Sequence, residues 1–187
     1  MDTISKVMIR DHDKIVKLLN DLGNCIDLDK QILKKALEAF NWELEKHIFT
    51  EEKSIFISYQ SKDYEEGYKM VPRLMKEHDI IYDKLKEMRK SINFDKSCDY
   101  EEFKDFLLKH KDFEESSFYP LLDEELDENI KKIVIDRINE IKIMDSGLKN
   151  IKINCSECGK KIGILKGYYH PKLEKRWLLC RVCYDKI

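Results

Sequence analysis

The chain has 187 residues, 42% hydrophobic and 39% charged, with a net charge of −2. That is enough apolar surface for a core, too little bias for disorder, and no gross attraction to nucleic acid. Six glycines and three prolines are too few for a turn-dense all-β chain, and no apolar run approaches the ~18 residues of a membrane helix. The opening Met1-Asp2-Thr3-Ile4-Ser5-Lys6 lacks the apolar stretch of a signal peptide, so a soluble, cytoplasmic protein is expected.

Residues 2–22 predict a first helix, with Ile4, Val7, Met8, Ile15, Leu18, Leu19 and Leu22 at three- and four-residue steps. Gly23-Asn24 ends it. A second helix is expected over about 28–58, its stripe running from Ile32 to Ile55. Asp63 to Gly67 reads as a polar break. Pro72 suits the first turn of a third helix, which continues to about Ser91. A fourth helix covers about 100–118. Pro120 then interrupts, and a fifth stretch begins at about Leu121 or Asp127, runs to Met144 and closes at Gly147. Short connections imply an all-α body with antiparallel neighbours. After Asn150 the spelling changes to closely spaced Gly159, Gly163 and Gly167 with short apolar runs, which reads as strands and turns.

Charge divides at the same place. Residues 151–187 hold nine Lys/Arg and three Asp/Glu, so a basic tail follows an acidic body. Cys155, Cys158, Cys180 and Cys183 crowd this tail. The remaining Cys25 and Cys98 stand alone and read as ordinary residues, and the run Asp123-Glu124-Glu125 reads as a solvated face.

Four of the five histidines obey one duplication. His12-Asp13 recurs as His78-Asp79, 66 residues on; His47-Ile48-Phe49-Thr50-Glu51-Glu52 recurs as His110-Lys111-Asp112-Phe113-Glu114-Glu115, 63 residues on. Helices one and two are thus repeated as helices three and four, a pattern that packs into a four-helix bundle. His47 and Glu51 share a helix face, as do His110 and Glu114. Each helix then offers one inward His, and two helices add a Glu: four imidazoles and two carboxylates for a dinuclear metal site. Imidazole suits iron, zinc and copper, and bridging carboxylate favours iron or manganese. Six protein ligands leave positions open for water or a diatomic gas.

This spelling resembles the hemerythrin-like (HHE) domain family over about residues 1–145. The resemblance implies an up-down-up-down bundle holding a non-haem di-iron centre, with His12, His47, Glu51, His78, His110 and Glu114 as ligands and the two glutamates bridging. Glu52 and Glu115 are expected to matter less. The sequence departs from the oxygen carriers of the family, which have a second His four after the third-helix one, where Tyr82 stands here. They also use an Asp five after the fourth-helix His, where Glu115 stands. The pattern is similar to the subgroup of iron sensors and of nitric-oxide and iron–sulfur repair proteins. For Tyr82 three roles stand open: core filling, a hydrogen bond to the centre, or ligation.

Cys155-Ser156-Glu157-Cys158 and Cys180-Arg181-Val182-Cys183 are two C-x-x-C knuckles, close to the zinc spelling C-x₂-C-x₁₅₋₂₀-C-x₂-C. Four thiolates make a tetrahedral site for zinc or a single iron. The segment resembles a zinc ribbon or treble-clef finger over 151–187, while a rubredoxin-like iron is the alternative. His170 is a substitute ligand that four cysteines make unnecessary.

The expected function is a non-haem di-iron protein that binds or senses oxygen, nitric oxide or peroxide, with a structural zinc finger. The alternatives are a di-iron oxidoreductase with a rubredoxin-like electron-transfer tail, or an iron-responsive adaptor. A diatomic gas or peroxide is the expected ligand, alongside a protein or redox partner. Lys160, Lys161, Lys166, Lys172, Lys175, Arg176 and Arg181, with Tyr168, Tyr169 and Trp177, offer nucleic acid a basic aromatic surface. Docking of such a face on an acidic one is the favoured reading, and no membrane association is expected.

Overall fold

The computed structural model describes residues 2–59, 67–93, 99–143, 152–163, 165, 167–169, 178–184 and 186. They form two compact units, Met1–Ile141 and Lys142–Ile187. The expected polar break, the helix end at Gly147, Cys98, His170 and the basic aromatic stretch around Arg176-Trp177 lie wholly or largely outside the described residues.

In the first unit, α1 spans Ile4–Gly23, α2 Lys30–Thr50, α3 Gly67–Asn93, α4 Tyr100–Phe113, α5 Tyr119–Glu125 and α6 Glu128–Lys142. Thr3, Asp29 and Asp99 cap α1, α2 and α4 by accepting from the amides of Lys6, Gln31 and Glu102. Asp123 is not a solvated face: its carboxylate accepts from Ile4 N at 2.9 Å and Ser5 N at 3.2 Å. It satisfies two donors at the positive end of α1, which its sequence neighbours Glu124 and Glu125 gave no hint of.

Cross-helix contacts give the directions. Along α1, residues 4, 12 and 19 meet Asp123, Glu115 and Tyr100 in turn. Along α3, Glu77 and Lys84 meet His110 and Glu102. His12 and Lys14 meet His47 and Glu43, and Lys30 and Glu52 meet Asn93 and His78. In every pair one number rises as the other falls, so neighbouring helices run in opposite directions around the bundle.

Two expectations about proline need correction. Helix α3 starts at Gly67, so Pro72 lies inside it rather than in its first turn. The extra turn forms because Met70, Val71 and Met75 pack with Leu74 on the core, which outweighs the backbone bond that proline removes. Pro120 does not interrupt either; it sits at the start of α5, directly after a π-helical turn over Glu114–Phe118. A matching π turn over Glu51–Ile55 follows α2. At such a junction the α-type ladder is already broken, so a missing N–H costs little.

The core is split in two. Ile15, Leu19, Leu37, Phe40, Ile81, Leu85, Phe103 and Leu107 belong to one apolar cluster. Met8, Ile55, Phe56, Leu74, Phe118, Tyr119, Val134 and Ile138 belong to the other. The four predicted histidines fall between these residues on every helix, in a polar layer between two apolar ones.

The second unit has two antiparallel strand pairs. In one, β1 (Lys152–Asn154) pairs with β2 (Lys161–Gly163), Ile153 opposite Ile162. In the other, β3 (Tyr168–Tyr169) pairs with β4 (Leu178–Leu179). A short helix, α7 (Arg181–Tyr184), adds to the strands and turns read from the spelling. Among the described residues its buried core is Cys155, Ile162, Leu179, Cys180 and Cys183.

Candidate metal centre

All six predicted bundle residues come together. Glu51, Glu114 and His78 are fully buried, and His12, His47 and His110 nearly so. His12 lies midway along α1; His47 and His110 close α2 and α4. Each carboxylate opens a π turn, where the Glu51 and Glu114 carbonyls accept from the amides of Phe56 and Tyr119, five residues on. The wider turn carries the fifth residue back over the glutamate, and π turns of this kind recur at functional sites.

Two donor groups share one residue. His12, His47 and Glu114 form one; Glu51, His78, His110 and Glu114 form the other, each with donor atoms within 4.8 Å of one another. Glu114 Oε2 lies 3.2 Å from His12 Nε2, and Oε1 lies 3.0 Å from His110 Nε2. Glu51 Oε2 lies 3.2 Å from His78 Nε2 and 3.5 Å from His47 Nε2. His12 and His47 face each other Nε2 to Nε2 at 3.1 Å.

The outer nitrogens fix which way the imidazoles point. His12 Nδ1 meets Glu115 Oε1 at 2.8 Å, His78 Nδ1 meets Glu52 Oε1 at 3.2 Å, and His110 Nδ1 meets Glu77 Oε2 at 2.7 Å. A carboxylate accepts, so each Nδ1 donates and each neutral ring turns its Nε2 lone pair inwards. His47 Nδ1 is buried with no hydrogen-bond partner.

The inner atoms fit metal. His78 Nε2, His110 Nε2, Glu51 Oε2 and both Glu114 oxygens are buried and close together, yet none finds a hydrogen-bonding geometry. Each such orphan costs roughly 1–3 kcal/mol, which cations between them would recover. Without metal, protons take that place. Burial pulls His78 down, but Glu51 and Glu52 outweigh it and push it up to about 9. Burial likewise opposes His110, but Glu114 and Glu77 push it up to about 10. For Glu114 burial is overcome by His110 and His12, which hold it well below the usual carboxylate range. His47 is held well below the ordinary imidazole value by burial and by His12.

Tyr119 is the residue that helical periodicity missed. Its hydroxyl donates to Glu51 Oε1 at 2.7 Å and lies 3.4 Å from His12 Nε2. Its phenol is held well above the ordinary value by burial and by Glu114 and Glu51, so it remains a donor. Tyr82, by contrast, is half-buried against the apolar cluster of Leu85 and Phe103 and belongs to neither donor group. Glu77 was also missed; it directly precedes His78, but serves His110.

In the tail, Cys155, Cys158, Cys180 and Cys183 form a third donor group. Cys158 Sγ and Cys180 Sγ are 3.8 Å apart, the edge of a tetrahedron with metal–sulfur bonds of ~2.3 Å. Cys155 Sγ accepts from the Cys180 amide at 3.2 Å. Burial raises the Cys155 thiol, but amides of the two knuckles outweigh it and draw it down to about 6, towards the thiolate a metal needs. Gly159 closes the first knuckle at φ 69°, a left-handed conformation that side chains resist. Cys25 packs against the bundle core and joins no donor group.

A buried layer of imidazoles and carboxylates between two apolar layers of a helical bundle defines a metal-binding protein of the di-iron type. More particularly, a family model for the hemerythrin HHE cation-binding domain matches residues 3–122, and the chain belongs to that family. No curated protein and no solved structure shows significant similarity to the chain. Among the described residues, no helix is long and apolar enough to cross a membrane.

Proposed function

We propose that the chain is a non-haem di-iron protein that binds or senses oxygen, nitric oxide or peroxide, with zinc at its four-cysteine site. The donor set carries the reading: four imidazoles and two carboxylates in one buried layer, divided into two groups that share Glu114. Mixed nitrogen and oxygen donors suit iron. Two irons held there would supply open coordination positions and exchangeable electrons. The chain orients the imidazoles through Glu52, Glu77 and Glu115 and keeps bulk water out.

The approach to the centre limits the ligand's size. A small cavity of about 10 Å³ has Ile15, Val16, Leu44 and Ile48 in its wall together with His12, His47 and His110. That is about one water-sized sphere, room for a diatomic molecule and too little for an organic substrate. Its almost wholly apolar wall favours an uncharged ligand.

The experiment is metal analysis followed by an anaerobic spectrum. Protein purified without chelator should carry about two irons in the bundle and one zinc in the tail. Reduced protein given oxygen, nitric oxide or peroxide should develop near-ultraviolet absorption. Because Tyr82 stands where the oxygen carriers have His, deoxygenation should not reverse the change. One metal per chain in total refutes the dinuclear reading, a reversible oxygen adduct points to storage instead, and iron in the tail favours an oxidoreductase.

A further inference from the structure

The duplication that places the ligands is broken at one hydroxyl. Phe56 and Tyr119 stand in equivalent positions, each five residues after its glutamate at the end of a π turn. Phe56 stacks on His78, with ring centroids 5.6 Å apart and 12° between the planes. Tyr119 stands by His12, also at 5.6 Å and tilted by 31°. Only Tyr119 carries a phenol, and it donates to Glu51 Oε1 at 2.7 Å. The two carboxylates therefore differ. Both Glu114 oxygens lack a hydrogen-bond partner, whereas on Glu51 only Oε2 does.

We propose that Tyr119 is a positioning residue that ties down one oxygen of Glu51 and makes the two metal positions unequal. Glu114 then serves both positions, one oxygen towards His12 and the other towards His110. Glu51 serves the His78/His110 position through Oε2 alone. This inference rests on the dinuclear reading above and departs from a pair of equally bridging glutamates.

The surroundings point the same way. The His78/His110 position has four donors, and both imidazoles are held at Nδ1, by Glu52 and Glu77. The His12/His47 position has three donors, and His47 Nδ1 has no hydrogen-bond partner. Carboxylates at Nδ1 raise the basicity of a ligating imidazole and fix its orientation. The iron at His12/His47 is therefore the more weakly held.

The test is iron release from the full-length, reduced protein into a ferrous chelator under anaerobic conditions. Wild type should release its two bundle irons in two separate phases. Tyr119→Phe frees Glu51 Oε1 to reach the second position, so the faster phase should slow by about tenfold, the scale of a changed partner around a ligand. The ⁵⁷Fe Mössbauer doublets of the two bundle irons should also move together. A merely structural role predicts the opposite, faster release. Phe56→Tyr is the mirror variant: a hydroxyl over Glu114 should hasten release, and it keeps the test valid if Tyr119→Phe does not fold. Unchanged or faster release in Tyr119→Phe, with doublets still distinct, overturns the inference while leaving the dinuclear reading intact. Fewer than two bundle irons in wild type overturns both.

Discussion

Glu115 meets His12 Nδ1 at 2.8 Å, although its chain neighbour Glu114 faces the inner nitrogens of the same layer. Adjacent carboxylates thus serve the two sides of one histidine layer, and the π turn that both enter is what separates them. The mirror arrangement holds at Glu51 and Glu52, where Glu52 meets His78 Nδ1 at 3.2 Å.

The two kinds of carboxylate should fail differently. Glu114→Ala should lose at least one bundle iron even when iron is in excess, because Glu114 belongs to both donor groups. Glu115→Ala, or Glu77→Ala at His110, should still fill at saturation with affinity lowered by roughly 10–100-fold. Iron content after dialysis against graded free iron separates the cases. Full occupancy in Glu114→Ala would contradict its shared role.

Metal loading should release protons. In the metal-free bundle, burial opposes protonation of His78 and His110, but Glu51 with Glu52 and Glu114 with Glu77 outweigh it and push them up to about 9 and about 10. Both rings are thus charged at neutral pH, and a metal requires them neutral. Apparent affinity should rise with pH until about 9, and loading at pH 7 should acidify a weakly buffered solution. The linkage for the empty fold has the opposite sign. Raised imidazoles stabilise it fully below their unfolded value of ~6.5, and that support fades as pH rises through about 9. Calorimetric titrations in buffers of different ionisation enthalpy count the protons; a count of zero at pH 7 rejects this charge assignment.

The ligands were legible in the sequence because duplication repeats chemistry at a fixed interval, and chance seldom sets four histidines and two glutamates at one interval. The π turns were not. Reading an amphipathic stripe assumes α-helical rotation per residue, and one wider turn moves every later side chain around the axis. Tyr119 fell off the expected stripe for that reason, and the fourth helix was drawn unbroken to Phe118. The signal was present in the repeat, since Ile55-Phe56 aligns with Phe118-Tyr119. Asp123 and Glu77 were invisible for another reason: each acts on a helix distant in sequence, and only packing brings them there.

The tail should depend on its metal as the bundle does not. Its buried core is three cysteines with Ile162 and Leu179 among the described residues, too little apolar surface to hold a segment of this size alone. Cys180→Ser should therefore abolish amide protection over residues 152–163 while the helical circular dichroism signal stays nearly unchanged. Hydrogen exchange by mass spectrometry reads both units in one experiment. Protection persisting in a zinc-free Cys180→Ser tail would show that strand pairing suffices.

Gly23 tests the other end of the bundle, away from metal. A Cβ added there would collide with the ring and hydroxyl of Tyr100. That hydroxyl is not free to move, since it donates to Leu19 O at 2.8 Å in a buried site. Gly23→Ala should lower stability by about 1–3 kcal/mol, the usual penalty of overpacking, despite alanine's better helix propensity. Tyr100→Phe alone should also destabilise, because it removes the partner of a buried carbonyl. The double variant should cost less than the sum of the two, since the phenol oxygen that clashes is gone. Thermal melts of the four proteins, all iron-loaded, close the cycle. Iron content should be equal in all four, because neither Gly23 nor Tyr100 belongs to a donor group. Additive losses would mean that the Cβ is accommodated by backbone movement rather than resisted by Tyr100.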